Sequence, residues 1–426
     1  MKKILSLFVA IVFIFSLINF VQAEKISAEE YQLEKVLIFS RHNVRAPTRS
    51  GTPFLNKVTN KKWFEWTSKP GELSLRGGIL ETSMGQYFKE YLERENFITD
   101  NYIPKDGEFR FYANSYQRTI ATTRFFSSGM LPVANVKVEH KYPVNKFDEI
   151  FITKFGNISE NYRQEILNET LKRHNVKNFQ ELAERLKPEL DTLEKMLDFK
   201  NSKYAKENNF KHFPTNDLEV KIEQDNPISW QGGIQKASAA ADALIMQYYE
   251  NDFAFGQKFT SEQLNDMKKI HDFAMNFVFG NPKASVVLAN PVLKFLNEEN
   301  SAEGRRFTFI GGHDSNVMSI LAALEVEEYN LPDPVEGLTP IGVKIVVEKR
   351  ISPDNQEYAN IYLMYPSAEQ IKNLEMLSLK NPPQIFNLNF KNLKRQENGL
   401  YLYSDFEKLL NDTIEKSEKL SVENYE

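Results

Sequence analysis

Lys35-Val36-Leu37-Ile38-Phe39-Ser40-Arg41-His42-Asn43-Val44-Arg45-Ala46-Pro47 passes in one short stretch from an apolar run to a group of cations around an imidazole. Val36–Ser40 is short, β-branched and aromatic, the pattern of a strand buried on both faces of a helix-covered parallel sheet. Arg41, His42 and Arg45 fall where that strand ends. Arg306–Ile310 repeats the pattern, and Gly311-Gly312-His313-Asp314-Ser315-Asn316 follows it. In open α/β sheets, ligands bind beyond the carboxyl ends of the strands. The two histidines are therefore expected at one sheet edge.

Working outward, Glu108–Ala113 reads as another strand, Leu75–Glu93 as an amphipathic helix, and Ser115 as the cap of a helix through Thr123. Ser315–Leu324 should be helical. Strand patterns return at Gly342–Glu348 and Glu357–Met364. Between them, residues 145–285 are rich in Lys, Glu, Asn and Leu, with helical periodicity at Ile158–His174, Asn178–Leu197, Gly233–Asn251 and Thr260–Phe279. Asn201–Asp225 reads as a polar loop, and the tail after Glu407 as a solvated terminal helix. The expected organisation is a discontinuous α/β catalytic domain, 24–144 and 286–426, interrupted by a helical cap domain, 145–285.

Met1-Lys2-Lys3, the apolar run Ile4–Phe20 and Val21-Gln22-Ala23 have the order of a secretory signal peptide, residues 1–23, cleaved near Ala23. The mature chain is then expected to be periplasmic or secreted, with no membrane contact after cleavage. Losing Lys2 and Lys3 takes the net charge from −5 to −7. A mildly acidic chain has no general attraction for nucleic acid, so any anion site must be built locally. There is no cysteine, which excludes disulfides and thiolate catalysis.

Arg41, Arg45 and Arg118 can clamp one phosphoryl group through forked, charge-assisted hydrogen bonds. Phosphate monoesters hydrolyse so slowly unaided that binding alone is not enough. A nucleophile divides the reaction into easier displacements. His42 suits that role, because surrounding arginines keep its imidazole neutral. Asp314 can protonate the leaving alkoxide and then activate water. His140, His174, His212 and His271 lack such company and are read as structural, and Trp63 and Trp66 as loop packing.

Arg41-His42-x-x-Arg45-x-Pro47 with His313-Asp314 resembles the signature of the histidine acid phosphatases, although Asn43 stands where that family usually has glycine. Arg-His-Asn with Arg-Ala-Pro, and Gly-His-Asp-Ser-Asn, resemble the bacterial periplasmic glucose-1-phosphatases within it. Trp63-Phe64-Glu65-Trp66, Ala113-Asn114-Ser115 with Gln117-Arg118-Thr119, Gln247-Tyr248-Tyr249-Glu250 and Thr339-Pro340-Ile341-Gly342 extend the resemblance over most of the chain. It implies a mainly parallel α/β sandwich, phosphoglycerate-mutase-like, with an inserted helical cap. It implies His42 as the residue phosphorylated, and Arg41, Arg45, Arg118 and His313 as phosphate-binding. Asp314 becomes the proton donor, and neither cofactor nor metal is required. An acidic pH optimum follows from the need for a protonated donor.

The expected function is an exported acid phosphatase acting on small phosphate esters, glucose 1-phosphate and related sugar phosphates first. A phytase or broad-specificity phosphatase of the same family is the alternative, since the cap residues that would touch a sugar, such as Glu223 or Asp225, are not fixed by the pattern. A phosphohistidine mutase fits the same core but not export. A non-catalytic sugar-phosphate binding protein would need no proton donor. The oligomeric state is left open.

Overall fold

The computed structural model describes residues 31–422 except 227 and 333–335. The expected signal peptide lies outside the described residues. Among those described, no helix is long and apolar enough to cross a membrane.

The core is one eight-stranded sheet. Its strands are β1 (Gln32–Arg41), β2 (Phe109–Ala113), β3 (Val138–Glu139), β4 (Phe307–Gly312), β5 (Lys344–Ile351), β6 (Glu357–Tyr365), β7 (Gln384–Asn387) and β8 (Tyr401–Leu402). The order is β7-β6-β5-β1-β4-β2-β3, with β8 on β6. β1, β4, β2 and β3 are parallel neighbours. The parallel sheet expected from the sequence is thus present, and β5 to β8 extend it antiparallel from β1. The antiparallel flank begins with an ordinary hairpin, turned through Asn355 at a positive φ of 63°.

Alternation along β1 sends side chains to two separate cores. Val36 and Ile38 meet Met84, Phe88 and Phe126 from α1 (Leu75–Arg94) and α2 (Gln117–Met130). Leu37 and Phe39 meet Ile320 and Leu321 from α3 (Asp314–Ala323), and Phe406 and Leu410 from α4 (Tyr403–Val422). Full burial of one such side chain contributes about 1.5–3 kcal/mol. α1 and α2 approach closely because glycines face each other: a Cβ on Gly85 would lie 2.2 Å from the Phe126 carbonyl oxygen, and one on Gly129 2.1 Å from that of Thr82.

Several local expectations change. The terminal helix is not a solvated tail, because Phe406, Leu410 and Ile414 bury one face against the sheet layer. The polar stretch 201–225 holds a helical turn, Lys203–Asn208, capped by Ser202, and a strand, Glu219–Ile222, paired with Ile228–Gln231. Burial of Ala205 and Ile222 outweighs the polar composition. The helix expected over 178–197 is two, Phe179–Glu184 and Lys187–Leu197, the second starting with a proline in its first turn. Ser115 does not cap α2, whose N-cap is Tyr116; its hydroxyl instead accepts from the Tyr142 amide at 3.0 Å.

Candidate active site

Parallel register brings three strand ends together. Arg41 lies opposite Gly312, and Ala113 opposite Gly311. The His42 amide donates to the Gly312 carbonyl at 3.0 Å, and the Asn114 amide to that of Gly311 at 2.9 Å. A Cβ on Gly311 would sit 2.3 Å from Thr123 Oγ1, and one on Gly312 2.4 Å from the Phe39 ring. Only glycine lets β4 run this close to its neighbours before His313.

All six residues singled out from the sequence occupy this edge. The His42 and His313 rings stand 5.6 Å apart, edge to face. Nδ1 of His42 lies 2.9 Å from the Asn43 carbonyl oxygen. A carbonyl can only accept, so Nδ1 carries the proton and Nε2 keeps a free lone pair. His313 has the Asn114 amide nitrogen 2.7 Å from Nε2 and Arg118 Nη2 3.3 Å from Nδ1.

Arg41 is fully buried. Its Nη1 contacts Glu336 Oε1 at 2.9 Å and the Thr339 carbonyl at 2.5 Å, and its Nη2 reaches Asp314 Oδ2 at 3.0 Å. Glu336 is anchored in turn by the Tyr249 hydroxyl at 2.7 Å and the Ile341 amide at 3.0 Å. Arg45 Nη2 meets both oxygens of Asp242 at 3.2 Å. Arg118 stacks on the Tyr116 ring at 4.8 Å. The Nε–H groups of Arg41, Arg45 and Arg118 are buried without a hydrogen-bond partner in the protein. Unmet buried donors are costly, and these three belong to the arginines grouped around His42.

The electrostatics follow. Burial first, then Arg118 and Arg45, hold the His42 imidazole well below its usual pKa. Burial and Arg118 do the same to His313. Arg118 itself falls to about 10, through burial and the neighbouring Arg45. Burial alone would raise Asp314, but the Arg41 guanidinium beside it outweighs that and holds the carboxyl below its ordinary range.

A stability prediction follows from the two imidazoles. Both bind protons more weakly folded than unfolded, so their contribution is intact above pH 6.5 and lost as the unfolded chain protonates below it. His271, raised by Asp272 and Glu336 against its burial, acts in the opposite sense. His174, lowered by burial and Arg173, adds to the fall, and three imidazoles against one give a falling Tm between about pH 7.5 and 5.5, shallower for His42→Ala. Parallel curves for the two proteins would contradict it.

Some neighbours were not legible in the sequence. Glu336, Asp242 and Glu81 have no motif, and each meets its partner across a long separation. His271, read as structural, lies buried beside Asp272 and adds positive potential at Asp314. Asp225, weighed as a sugar contact, pairs with Lys154 at the surface. The Trp63 ring packs on Phe255 and donates to the Leu55 carbonyl at 2.8 Å.

A family model described as histidine phosphatase superfamily (branch 2) matches residues 32–364. A glucose-1-phosphatase of Providencia rettgeri is 30% identical over 397 residues, 90% of this chain and 92% of the relative. One from Salmonella typhimurium is 31% identical over 423 residues, 96% and 99% of the two chains. The apo form of Hafnia alvei phytase superposes with a TM-score of 0.82 at 23% identity, over 91% of this chain and 98% of that one, a likeness of fold.

Proposed function

Since the chain belongs to the histidine phosphatase superfamily, branch 2, and is a histidine-type acid phosphatase, we propose that it is exported and hydrolyses sugar phosphates, glucose 1-phosphate foremost. The observation that carries the mechanism is the fixed tautomer of His42, with a bare Nε2 among Arg41, Arg45 and Arg118 and with Asp314 held on Arg41.

Arg41, Arg45, Arg118 and His313 hold the phosphoryl oxygens and offset their charge. Nε2 of His42 attacks phosphorus; the P–N bond forms, the P–O ester bond breaks, and the alkoxide takes the proton of Asp314. Water then attacks the phosphohistidine and gives a proton to the Asp314 carboxylate. The P–N bond breaks, phosphate leaves, and Nε2 regains its lone pair. Asp314 is ionised in the free site because Arg41 lies on it. An arriving phosphoryl anion engages that guanidinium and lets the carboxyl take up a proton, which favours acidic pH. The helical segment 145–285 serves as the cap that receives the sugar.

Arg118→Lys should lower kcat/KM about 10- to 100-fold, because an ammonium keeps the charge and loses the planar fork. Unchanged steady-state kinetics would remove Arg118 from the clamp.

The substrate assignment is tested by phosphate release from residues 24–426 at pH 4–7. The panel is glucose 1-phosphate, glucose 6-phosphate, p-nitrophenyl phosphate and phytate. Preference for glucose 1-phosphate supports the reading, and preference for phytate replaces it with the inositol phosphate alternative. Phosphate binding with no turnover of any ester would favour a binding protein.

A further inference from the structure

Behind His42 lies a buried ion pair with no place in the reaction above. Lys344 is fully buried, and its Nζ donates to both oxygens of Glu81 at 3.1 Å and to the Gly342 carbonyl at 2.9 Å. Glu81, on α1 and equally buried, accepts from Asn43 Nδ2 at 2.8 Å. Asn43 Oδ1 accepts from the Val44 amide at 2.8 Å, and the Asn43 amide donates to Thr122 Oγ1 at 3.2 Å. Gly342 closes the ring by donating its amide to the His42 carbonyl at 3.3 Å. Its φ is +68°, and a Cβ there would lie 2.6 Å from Asn43 Nδ2.

Asn43 is thereby held through both ends of its side chain and through its amide. Its one remaining polar atom is the carbonyl oxygen that receives the His42 Nδ1 proton. Removing two charges from water costs several kcal/mol per ion, and an apolar pair of similar volume often serves stability as well. An apolar pair cannot hold a carboxamide in one orientation.

We propose that Asn43 and Glu81 are positioning residues for the nucleophile: Glu81, balanced by Lys344, holds the Asn43 side chain and so the carbonyl that keeps the His42 proton on Nδ1. The inference rests on the reading of His42 as nucleophile. That reading fails if His42→Ala retains turnover; this one fails separately, as follows.

Asn43→Ala leaves the Glu81–Lys344 pair intact. Its kcat on p-nitrophenyl phosphate should fall about 10- to 100-fold, the scale of a small misplacement of a reacting group. KM and the inhibition constant of inorganic phosphate should stay within about threefold. In ¹⁵N-histidine spectra at pH 7, with His42 assigned by its loss in His42→Ala, Nδ1 is protonated in the wild type and a tautomer mixture appears in Asn43→Ala. The double variant Glu81→Gln with Lys344→Met keeps an amide oxygen for Asn43 and should retain kcat, whereas Glu81→Leu with Lys344→Met should behave like Asn43→Ala. A purely structural pair would change Tm alone. Wild-type kcat and an unchanged tautomer in Asn43→Ala would overturn the proposal, as would a parallel loss of phosphate affinity. Asn43→Ala decides the matter even if neither double variant folds.

Discussion

Replacing His42 with alanine should abolish turnover of every phosphate ester while the protein stays folded and still binds inorganic phosphate. The expected loss in kcat is about 10⁴- to 10⁶-fold, the range for removing a nucleophile that acts as part of a unit. The physical reason is that no other group can replace it. His313, the nearest imidazole, is held against Asn114 through Nε2 at 2.7 Å and is assigned to the phosphoryl oxygens, not to attack. Water in its place would meet a charge clamp and no covalent route. Folding should survive, because His42 donates its side-chain proton only to the adjacent residue and its neutral burial gives no charge pair to break. Activity within about tenfold of wild type would remove His42 from the covalent step.

Asp314→Asn should separate substrates by their leaving group. An alkoxide departing from a sugar phosphate needs a proton, and losing the donor should slow the first turnover by about 10²- to 10⁴-fold. p-Nitrophenolate leaves without one, so its first-turnover rate should change by less than about tenfold. Asparagine preserves the shape of the side chain and its place at the start of α3. Arg41 keeps its contacts with Glu336 and Thr339, so the clamp should survive. Rapid-mixing measurement of the first turnover isolates phosphoryl transfer to the enzyme from the later hydrolysis. Equal defects on both esters would show that Asp314 acts by charge on Arg41, not as the acid.

The two strand ends were legible because each is local: an apolar run, then a histidine among charges, within a few residues. The parallel register that unites them followed from the burial pattern of β1 and β4. Arg118 was legible from its place in the opening turn of α2. What stayed hidden depends on contacts between distant segments. Glu336, beside Gly337 and outside any helix or strand, looks like a surface acid until Arg41 is found against it. Asp242 lies in an alanine-rich helix, Gly233–Asn251, where nothing in the periodicity marks one carboxylate as facing Arg45. Glu81 sits on the buried face of α1, and only tertiary structure reveals Lys344 as its partner. The same cause explains the terminal helix, whose charge-rich sequence hides the stripe Phe406, Leu410 and Ile414.

The central claim is a covalent phosphohistidine, and the most direct measurement is to trap it. Mature enzyme mixed with p-nitrophenyl phosphate at acidic pH, quenched within the first turnover into alkaline denaturant and digested, is mapped by mass spectrometry. The account predicts a phosphoryl group on the peptide that carries His42, absent in His42→Ala and accumulating in any variant slowed in water attack. A phosphoryl group on another residue would contradict it. So would a burst of p-nitrophenol with no phosphorylated peptide under conditions that preserve phosphohistidine.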